Sequence, residues 1–247
     1  MKIVLKKNER IDDLEFKNLK IIQKNNGFCF GIDAVLLSDY AKEIKNNANV
    51  LDLGTGTGIL PILISGKTNA SKIYGIEIQE EIADMAKRSV KLNNLEEKIT
   101  IINTDIKKLK DCFEPNFFDV IVTNPPYKDE NTGKKNENEY KYISRHETTA
   151  NLEDFIRTSF KLLKDKGSFY MVHRPERLID IIYFLRNNKL EPKKIRLVYS
   201  NKNKEPKLVL IKAVKNANKF LKMEKPLFVY NEDGKYTDEI LKIYNKL

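Results

Sequence analysis

The 247-residue chain contains no tryptophan, two cysteines and two histidines. Cys29 and Cys112 form no C-x-x-C pair, and His146 and His173 are far apart in the sequence. This composition excludes a disulfide framework and offers no zinc-ligand spacing. We therefore expect no metal site, and the sparse cysteines are typical of a reducing, cytoplasmic compartment.

Long hydrophobic runs are also missing from the chain. The longest, residues 58–65, is interrupted by Pro61 and is far shorter than the roughly 20 apolar residues that a membrane span needs. The first residues, MKIVLKKNERIDDL, are too charged for a secretory signal. The sequence thus predicts neither a transmembrane nor a secreted protein.

The chain has an excess of positive charge, with 45 basic and 35 acidic residues and a net charge of +10. This sign is typical of proteins that bind a phosphate backbone. Only eight of the basic residues are arginine, however, and an AT-rich genome enriches lysine without selection for nucleic acid. The charge therefore favours a polyanionic partner but does not establish one.

From residue 49 onward, short apolar runs alternate with longer amphipathic segments. The predicted strands are NVLDL, KIYGIEI, KITIINTDI, FDVIVT and SFYMVHR, and NLEDFIRTSFKLLKDKG (151–167) is one of the predicted helices between them. Strands joined by helices pair in parallel, with helices on both faces. The runs IRLVYS and PKLVLIKAV are too close together for a helix and predict a hairpin. The expected fold is a doubly wound α/β sheet of seven mostly parallel strands with an antiparallel strand near the carboxyl end.

Two smaller segments flank this predicted domain, which spans residues 31–217. Residues 1–30 predict an amino-terminal hairpin in which LKIIQ (19–23) pairs with FCF (28–30) across an Asn-Gly turn. Residues 218–247 contain the strand-like PLFVY and the amphipathic TDEILKIYNKL. We expect this carboxyl-terminal strand and helix to pack on the main domain.

A glycine-rich loop follows the first predicted strand of the domain. It reads Asp52-Leu-Gly54-Thr-Gly56-Thr-Gly58 and precedes a predicted helix, a context in which glycines let the backbone approach a bound nucleoside. The G-x-G-x-G spacing differs from the G-x-G-x-x-G of dinucleotide-binding proteins. It therefore disfavours a nicotinamide or flavin cofactor.

Acidic residues occur near the ends of three consecutive predicted strands. Asp52, Glu77 and Asp105 follow this order along the chain, and the carboxyl ends of parallel strands meet at one edge of a sheet. A carboxylate at the position of Glu77 suits two ribose hydroxyls. Asp105, or the backbone beside it, could bind the amino group of an adenine.

The tetrapeptide Asn124-Pro125-Pro126-Tyr127 follows the buried-looking strand FDVIVT. The two prolines fix the backbone and remove two N–H donors. The Asn124 side-chain oxygen and the Pro125 carbonyl could then accept both hydrogens of a planar NH₂ group, and Tyr127 offers a ring for stacking. Such acceptors favour the positive charge that develops on the nitrogen of an aromatic amine during its attack on an electrophile.

These motifs resemble those of the class I S-adenosylmethionine-dependent methyltransferases. The segments FGIDAVLL, DLGTGTGILPILIS, GIEI, NTDI, NPPY and SRHE are most similar to the bacterial tRNA(Val) adenine-N6 methyltransferase family, over about residues 15–215. The resemblance implies a Rossmann-like methyltransferase fold, S-adenosyl-L-methionine as cofactor and tRNA as partner.

By the same resemblance, the site residues take specific roles. Asp52 and the three loop glycines would line the cofactor, Glu77 would hold its ribose, Asp105 its adenine, and Asp33 would close over its methionine end. Residues 124–127 would hold the target adenine, with Asn124 also next to the cofactor. Arg145, His146 and Glu147 would form a cluster on the substrate side, although an exposed, ion-paired helix start explains them equally well.

Other functions share part of this pattern. Enzymes that methylate a glutamine amide in release factors also carry N-P-P-Y, but they usually have an amino-terminal helical recognition domain, which is not visible here. A DNA adenine methyltransferase typically has a larger target-recognition domain, and a guanine-specific ribosomal RNA enzyme more often has an apolar ring at position 127. A non-catalytic RNA-binding module remains the alternative from a different class.

Overall fold

The computed structural model describes residues 4–25, 31–127 and 150–247, and a two-stranded antiparallel hairpin comes first. Its strands are β1 (Glu9–Asp13) and β2 (Lys20–Lys24), with Ile11 opposite Ile22. The predicted amino-terminal hairpin is confirmed, with β1 paired to β2, and the predicted pairing of residues 19–23 with residues 28–30 lies outside the described part of the chain. The charged sequence ERIDD conceals β1 because it lacks a clear apolar alternation.

Five parallel strands form the centre of the large sheet. In chain order they are β3 (Asn49–Leu53), β4 (Lys72–Glu77), β5 (Ile99–Asn103), β6 (Phe118–Thr123) and β7 (Leu163–His173). Their order across the sheet is β5-β4-β3-β6-β7. Leu53 lies opposite both Ile76 and Thr123, and Glu77 lies opposite Asn103. The carboxyl ends of β3 to β6 are therefore level with one another along one edge.

The sheet continues through a long hairpin on the β7 side. Strand β9 (Pro206–Lys215) lies between β7 and β8 (Leu190–Tyr199) and is antiparallel to both. Two short strands, β10 (Lys222–Met223) and β11 (Leu227–Phe228), pair in parallel with β8. The predicted seven-stranded, mostly parallel α/β fold is confirmed, and two short edge strands are added to it.

Helices cover both faces of the sheet. They are α1 (Ile32–Tyr40), α2 (Ile59–Lys67), α3 (Glu80–Leu92), α4 (Leu152–Leu162), α5 (Leu178–Asn187) and α6 (Asp238–Ile243). Because side chains alternate along a strand, Val50 packs in one core with α1, α2 and α3, whereas its neighbour Leu51 packs in the other with α4 and α5. The sheet is thus buried on both faces, which explains why its strands are almost continuously apolar.

The predicted helix over residues 151–167 is correct only up to Leu162. Asn151 begins it with a capping box to Asp154, but β7 starts at Leu163, which lies opposite Phe118. Both side chains are fully buried. Burial of Leu163 against the sheet thus prevails over a local pattern that continues to look helical.

Candidate active site

The loop between β3 and α2 has a left-handed backbone at its three glycines, with φ of 75° at Gly54, 56° at Gly56 and 91° at Gly58. The Gly54 N–H donates to the Ile76 carbonyl at 3.0 Å, and the Gly56 N–H donates to the Glu77 carboxylate at 3.0 Å. A Cβ at Gly56 would meet nothing within 4 Å. Gly56 is therefore required by its backbone conformation, and open space lies beside it.

Asp52 lies beneath this loop, one residue before the end of β3, and is fully buried. Among the described residues, neither its carboxylate oxygens nor the Thr55 hydroxyl has a hydrogen-bond partner of normal geometry. Burial raises the pKa of Asp52 to about 7; the nearby Thr55 hydroxyl opposes the rise, and the charge of Glu77 adds to it. The sequence predicted an acid on the open rim, whereas the structure places Asp52 under the loop.

Glu77 is the last residue of β4 and joins the loop to the start of α3. Its carboxylate accepts hydrogen bonds from the backbone N–H groups of Gly56 and Gln79, each at 3.0 Å. Burial raises the pKa of Glu77, and these N–H groups partly offset the rise. The side chain is thus buried beside the open space at Gly56, as a ligand for hydroxyl groups would be.

Asp105 lies two residues beyond β5 and is half-buried. It accepts the backbone N–H of Lys107 at 2.9 Å and caps the short 3-10 helix Ile106–Asp111. The preceding Asn103, which was not predicted as a site residue, donates to the Glu77 carbonyl at 2.8 Å. Asn103 therefore ties the ends of β4 and β5 together, and Asp52, Glu77 and Asp105 lie along three neighbouring strand ends.

The tetrapeptide at residues 124–127 begins where β6 ends, next to the glycine loop. The hydroxyl of Thr123 donates to the Leu53 carbonyl at 2.8 Å across the two strands, which are spaced by about 4.8 Å. Pro125 is buried and Pro126 is exposed. The diproline corner and the loop thus share one edge of the sheet and are separated by a single strand spacing.

Asp33 of α1 holds this corner through two side chains. The Asn124 amide nitrogen donates to Asp33 Oδ2 at 3.0 Å. The Tyr127 hydroxyl lies 3.0 Å from the same oxygen and 2.6 Å from Asn124 Oδ1, and its single proton can go to either acceptor. Asp33 is only 8% exposed. The sequence placed Asp33 near the site but did not reveal its contacts with Asn124 and Tyr127.

The Tyr127 ring is half-buried between two residues at the end of β7. Its centroid lies 5.1 Å from that of His173, with the ring planes 59° apart, and the Arg174 guanidinium lies 5.3 Å from the Tyr127 centroid. Burial, followed by the negative charge of Asp33, raises the pKa of Tyr127 well above its usual range. His173 and Arg174 were not predicted from the sequence as neighbours of Tyr127, although their place at the carboxyl end of the next strand was the available signal.

The predicted substrate-side cluster of Arg145, His146 and Glu147 lies outside the described residues. Within the described ranges, no group of three or more His, Cys, Asp or Glu side chains is arranged to hold a metal ion. The described helices also include none that is long and apolar enough to cross a membrane.

Comparison with known families and proteins gives consistent matches. A family model described as methyltransferase small domain matches residues 13–182. A Porphyromonas gingivalis tRNA1(Val) (adenine(37)-N6)-methyltransferase is 28% identical over 204 residues, which cover 81% of this chain and 79% of the relative. A Haemophilus influenzae protein of the same name is 25% identical over 231 residues, covering 92% of this chain and 94% of the relative.

Solved structures share the fold. An Agrobacterium tumefaciens protein described as a predicted O-methyltransferase superposes with a TM-score of 0.71 at 20% identity, covering 87% of this chain and 96% of that chain. TYW2 of M. jannaschii, solved in complex with AdoMet, gives a TM-score of 0.59 at 16% identity, covering 85% of this chain and 87% of that one.

Proposed function

The chain belongs to the methyltransferase small domain family, and on that premise we propose that it transfers a methyl group from S-adenosylmethionine to the exocyclic N6 amine of an adenine in tRNA. The observation that carries the proposal is the position of Asn124, which starts a rigid diproline corner one strand away from the glycine loop. The relatives named tRNA1(Val) (adenine(37)-N6)-methyltransferases support adenine 37, beside the anticodon of tRNA(Val), as the target.

The residues around the glycine loop fit S-adenosylmethionine. The Cβ-free side of Gly56 faces open space, and the Gly56 N–H holds the Glu77 carboxylate beside that space at 3.0 Å. Glu77 can accept two ribose hydroxyls, and Asp105 can accept the adenine amine of the cofactor. When bound, S-adenosylmethionine supplies an electrophilic methyl group attached to a positively charged sulfur.

Asn124 and Pro125 would hold the target amine. The nitrogen lone pair of adenine's exocyclic amine is delocalised into the ring, so the amine is a weak nucleophile. Two carbonyl oxygens that accept both of its hydrogens would stabilise the positive charge that develops on nitrogen as the N–C bond forms and the bond from the methyl group to sulfur breaks, which leaves a neutral thioether. The nitrogen then loses one proton to solvent, and the reaction needs no strong base at this position.

Asp33 would determine which end of the Asn124 amide faces the substrate. Because the amide nitrogen donates to Asp33, the amide oxygen is directed away from that carboxylate and remains an acceptor. A reversed amide would instead place its oxygen against a carboxylate, which is unfavourable because both groups only accept hydrogen bonds. We therefore assign Asp33 a positioning role, and its predicted place at the methionine end of the cofactor stays a prediction.

Tyr127 would change partners when the substrate binds. Its hydroxyl lies 2.6 Å from Asn124 Oδ1, the oxygen that the target amine would use, and 3.0 Å from Asp33. The proton can move to Asp33 without leaving a buried hydroxyl unpaired, so Asn124 can then accept the amine. Stacking of the target base on the Tyr127 ring stays a prediction, because His173 and Arg174 already contact that ring.

The test is to incubate the protein with methyl-labelled S-adenosylmethionine and total bacterial tRNA and to digest the RNA to nucleosides. We expect the label in N6-methyladenosine. Label in a glutamine of an added release factor, with none in tRNA, would identify the amide methyltransferase instead. RNA binding without transfer to either substrate would indicate a non-catalytic module.

A further inference from the structure

We propose that the edge of the sheet from Arg174 to Tyr230 binds the single-stranded RNA next to the target nucleotide, with basic side chains on the phosphates and Tyr230 stacked on an unpaired base. This inference rests on the proposed function, because it takes RNA as the substrate. It assigns a role to the β8–β9 turn and to the segment after β11, neither of which forms part of the site described above.

The first observation is continuity with the diproline corner. Exposed Arg174 contacts the Tyr127 ring and also donates to the Lys207 carbonyl on β9 at 3.4 Å. From β6 the strand order along this edge is β7, β9, β8 and β11. Four spacings of about 4.8 Å give a path of roughly 19 Å. The edge is therefore long enough to hold several nucleotides beside the target.

The second observation is the charge of the turn at residues 200–205. Lys202 and Lys204 in the turn and Lys207 just after it are exposed, and none forms an ion pair with a described residue. Only Glu205 opposes them within the turn. Unpaired lysines that face solvent at the same edge as the target corner are suited to phosphate contacts.

The third observation is a column of aromatic rings beside this turn. Tyr230 stacks on Tyr236 with centroids 5.3 Å apart, and Tyr236 stacks on Tyr244 at 5.8 Å, both pairs within 16° of parallel. Tyr244 is buried, whereas Tyr230 is 40% exposed. Tyr230 is thus the outer ring of a column that is anchored in the core, and such a ring is a suitable platform for a base.

A groove of about 690 Å³ joins the turn to this ring, and Lys202, Asn203, Phe228 and Tyr230 line it. Glu232 and Asp233 also line the groove, and Asp233 is paired with Lys235 at 3.3 Å. These two carboxylates repel phosphates, so they limit the path that the strand can take through the groove. Basic and amide side chains together with an exposed ring favour an unpaired RNA strand, because such a strand offers phosphates to the lysines and a planar base to the ring.

The first test reverses the charge of the turn with the double variant Lys202→Glu, Lys204→Glu in the full chain. We expect the KM for tRNA to rise about tenfold at 0.15 M salt, and the slope of log affinity against log salt to fall by about 1.4, because each phosphate contact on a single strand contributes about 0.7. The kcat and the cofactor dissociation constant should stay unchanged.

A matched control carries the same change in charge far from this edge. Lys87 and Lys91 are exposed on α3, and the variant Lys87→Glu, Lys91→Glu should leave the salt slope unchanged. Equal effects in the two double variants would show that only net charge matters and would overturn the docking surface.

The second test removes the ring. Tyr230→Ala should raise the KM for tRNA roughly tenfold through lost stacking, whereas Tyr230→Phe keeps the ring and should behave like the parent chain. Unchanged KM in both Tyr230→Ala and the Lys202, Lys204 variant, with normal methylation of tRNA, would overturn this surface alone. Failure of the unmodified chain to methylate any tRNA would overturn the proposed function and this inference with it.

Discussion

Two halves of the proposed site are held together in different ways. In the half proposed to bind the cofactor (the cofactor half: residues 52–58, Glu77 and Asp105), carboxylates accept backbone N–H groups from the glycine loop or from two residues further along the chain. In the half proposed to bind the target (the target half: Asp33, residues 124–127, His173 and Arg174), two side-chain bonds join Asp33 to residues more than 90 positions away. Damage to the first half should therefore change stability and cofactor affinity, and damage to the second should change turnover.

The largest effect should come from Asp52, as a dependence of stability on pH. Its pKa in the folded chain is about 7, against about 3.9 in an unfolded chain. The folded state therefore keeps a proton that the unfolded state has lost, and the free energy of unfolding falls as pH rises from about 4 to about 7, by roughly 1.4 kcal/mol per unit.

Urea unfolding of the parent chain and of Asp52→Asn at pH 5 and pH 8 measures the contribution of Asp52 to the pH dependence of the free energy of unfolding. We expect the parent chain to lose about 3 kcal/mol more than the variant over that interval, since asparagine does not titrate. Identical pH dependence of the two proteins would show that Asp52 is not the buried acid responsible.

The next largest effect should be on turnover. Asn124→Ala removes one proposed acceptor of the target amine and should lower kcat roughly 100- to 1,000-fold, while the dissociation constant of S-adenosylmethionine stays unchanged. Steady-state transfer and calorimetric cofactor binding measure the two quantities. Asn187→Ala makes the same substitution at the exposed end of α5 and should affect neither, and a loss of cofactor affinity in Asn124→Ala would place Asn124 in the cofactor half.

The two halves also differ in how far the sequence predicts them. The positions of the glycine loop and Glu77 can be predicted from short sequence segments. A strand, a glycine-rich loop and the end of the next strand follow one another along the chain, so the pattern indicates which residues meet. The central sheet was predictable for the same reason, since crossover helices require parallel strands. The complete burial of Asp52 was not predictable. The sequence pattern indicates the position of Asp52 along β3, but it does not show that the glycine loop covers this residue.

The target half depends on contacts that no local pattern records. Asn124 and Asp33 belong to separate motifs, and only the packing of α1 beside the end of β6 brings them within hydrogen-bonding distance. The early end of α4 could not be predicted for a related reason, since burial in the assembled core prevailed over the local pattern at Leu163. The contacts between residues far apart in the sequence are thus the part of the site that could not be predicted from the sequence.

Glu77→Ala should lower cofactor affinity more than turnover, which is the opposite of the effect expected for Asn124→Ala. Loss of the carboxylate that we propose as the acceptor of the ribose hydroxyls should weaken S-adenosylmethionine binding about 30-fold, with a much smaller change in kcat at saturating cofactor. Calorimetry and transfer assays at high cofactor concentration separate these effects. Unchanged cofactor affinity would contradict the assignment of Glu77 to the ribose.

Asp33→Asn should have the smallest effect of the series. The new amide can present either end to Asn124, so the amide orientation is no longer fixed, and kcat should fall about tenfold with the melting temperature and the KM for tRNA unchanged. A parallel fall in cofactor affinity would instead support the predicted place of Asp33 at the methionine end.

The most direct measurement compares two synthetic anticodon stem-loops of tRNA(Val) in single-turnover methyl transfer. One has adenine at position 37 and the other has purine, which lacks only the exocyclic amine. We predict one methyl group on the N6 of the adenine-containing RNA and none on the purine-containing RNA. Equal transfer to both would show that the diproline corner does not hold this amine.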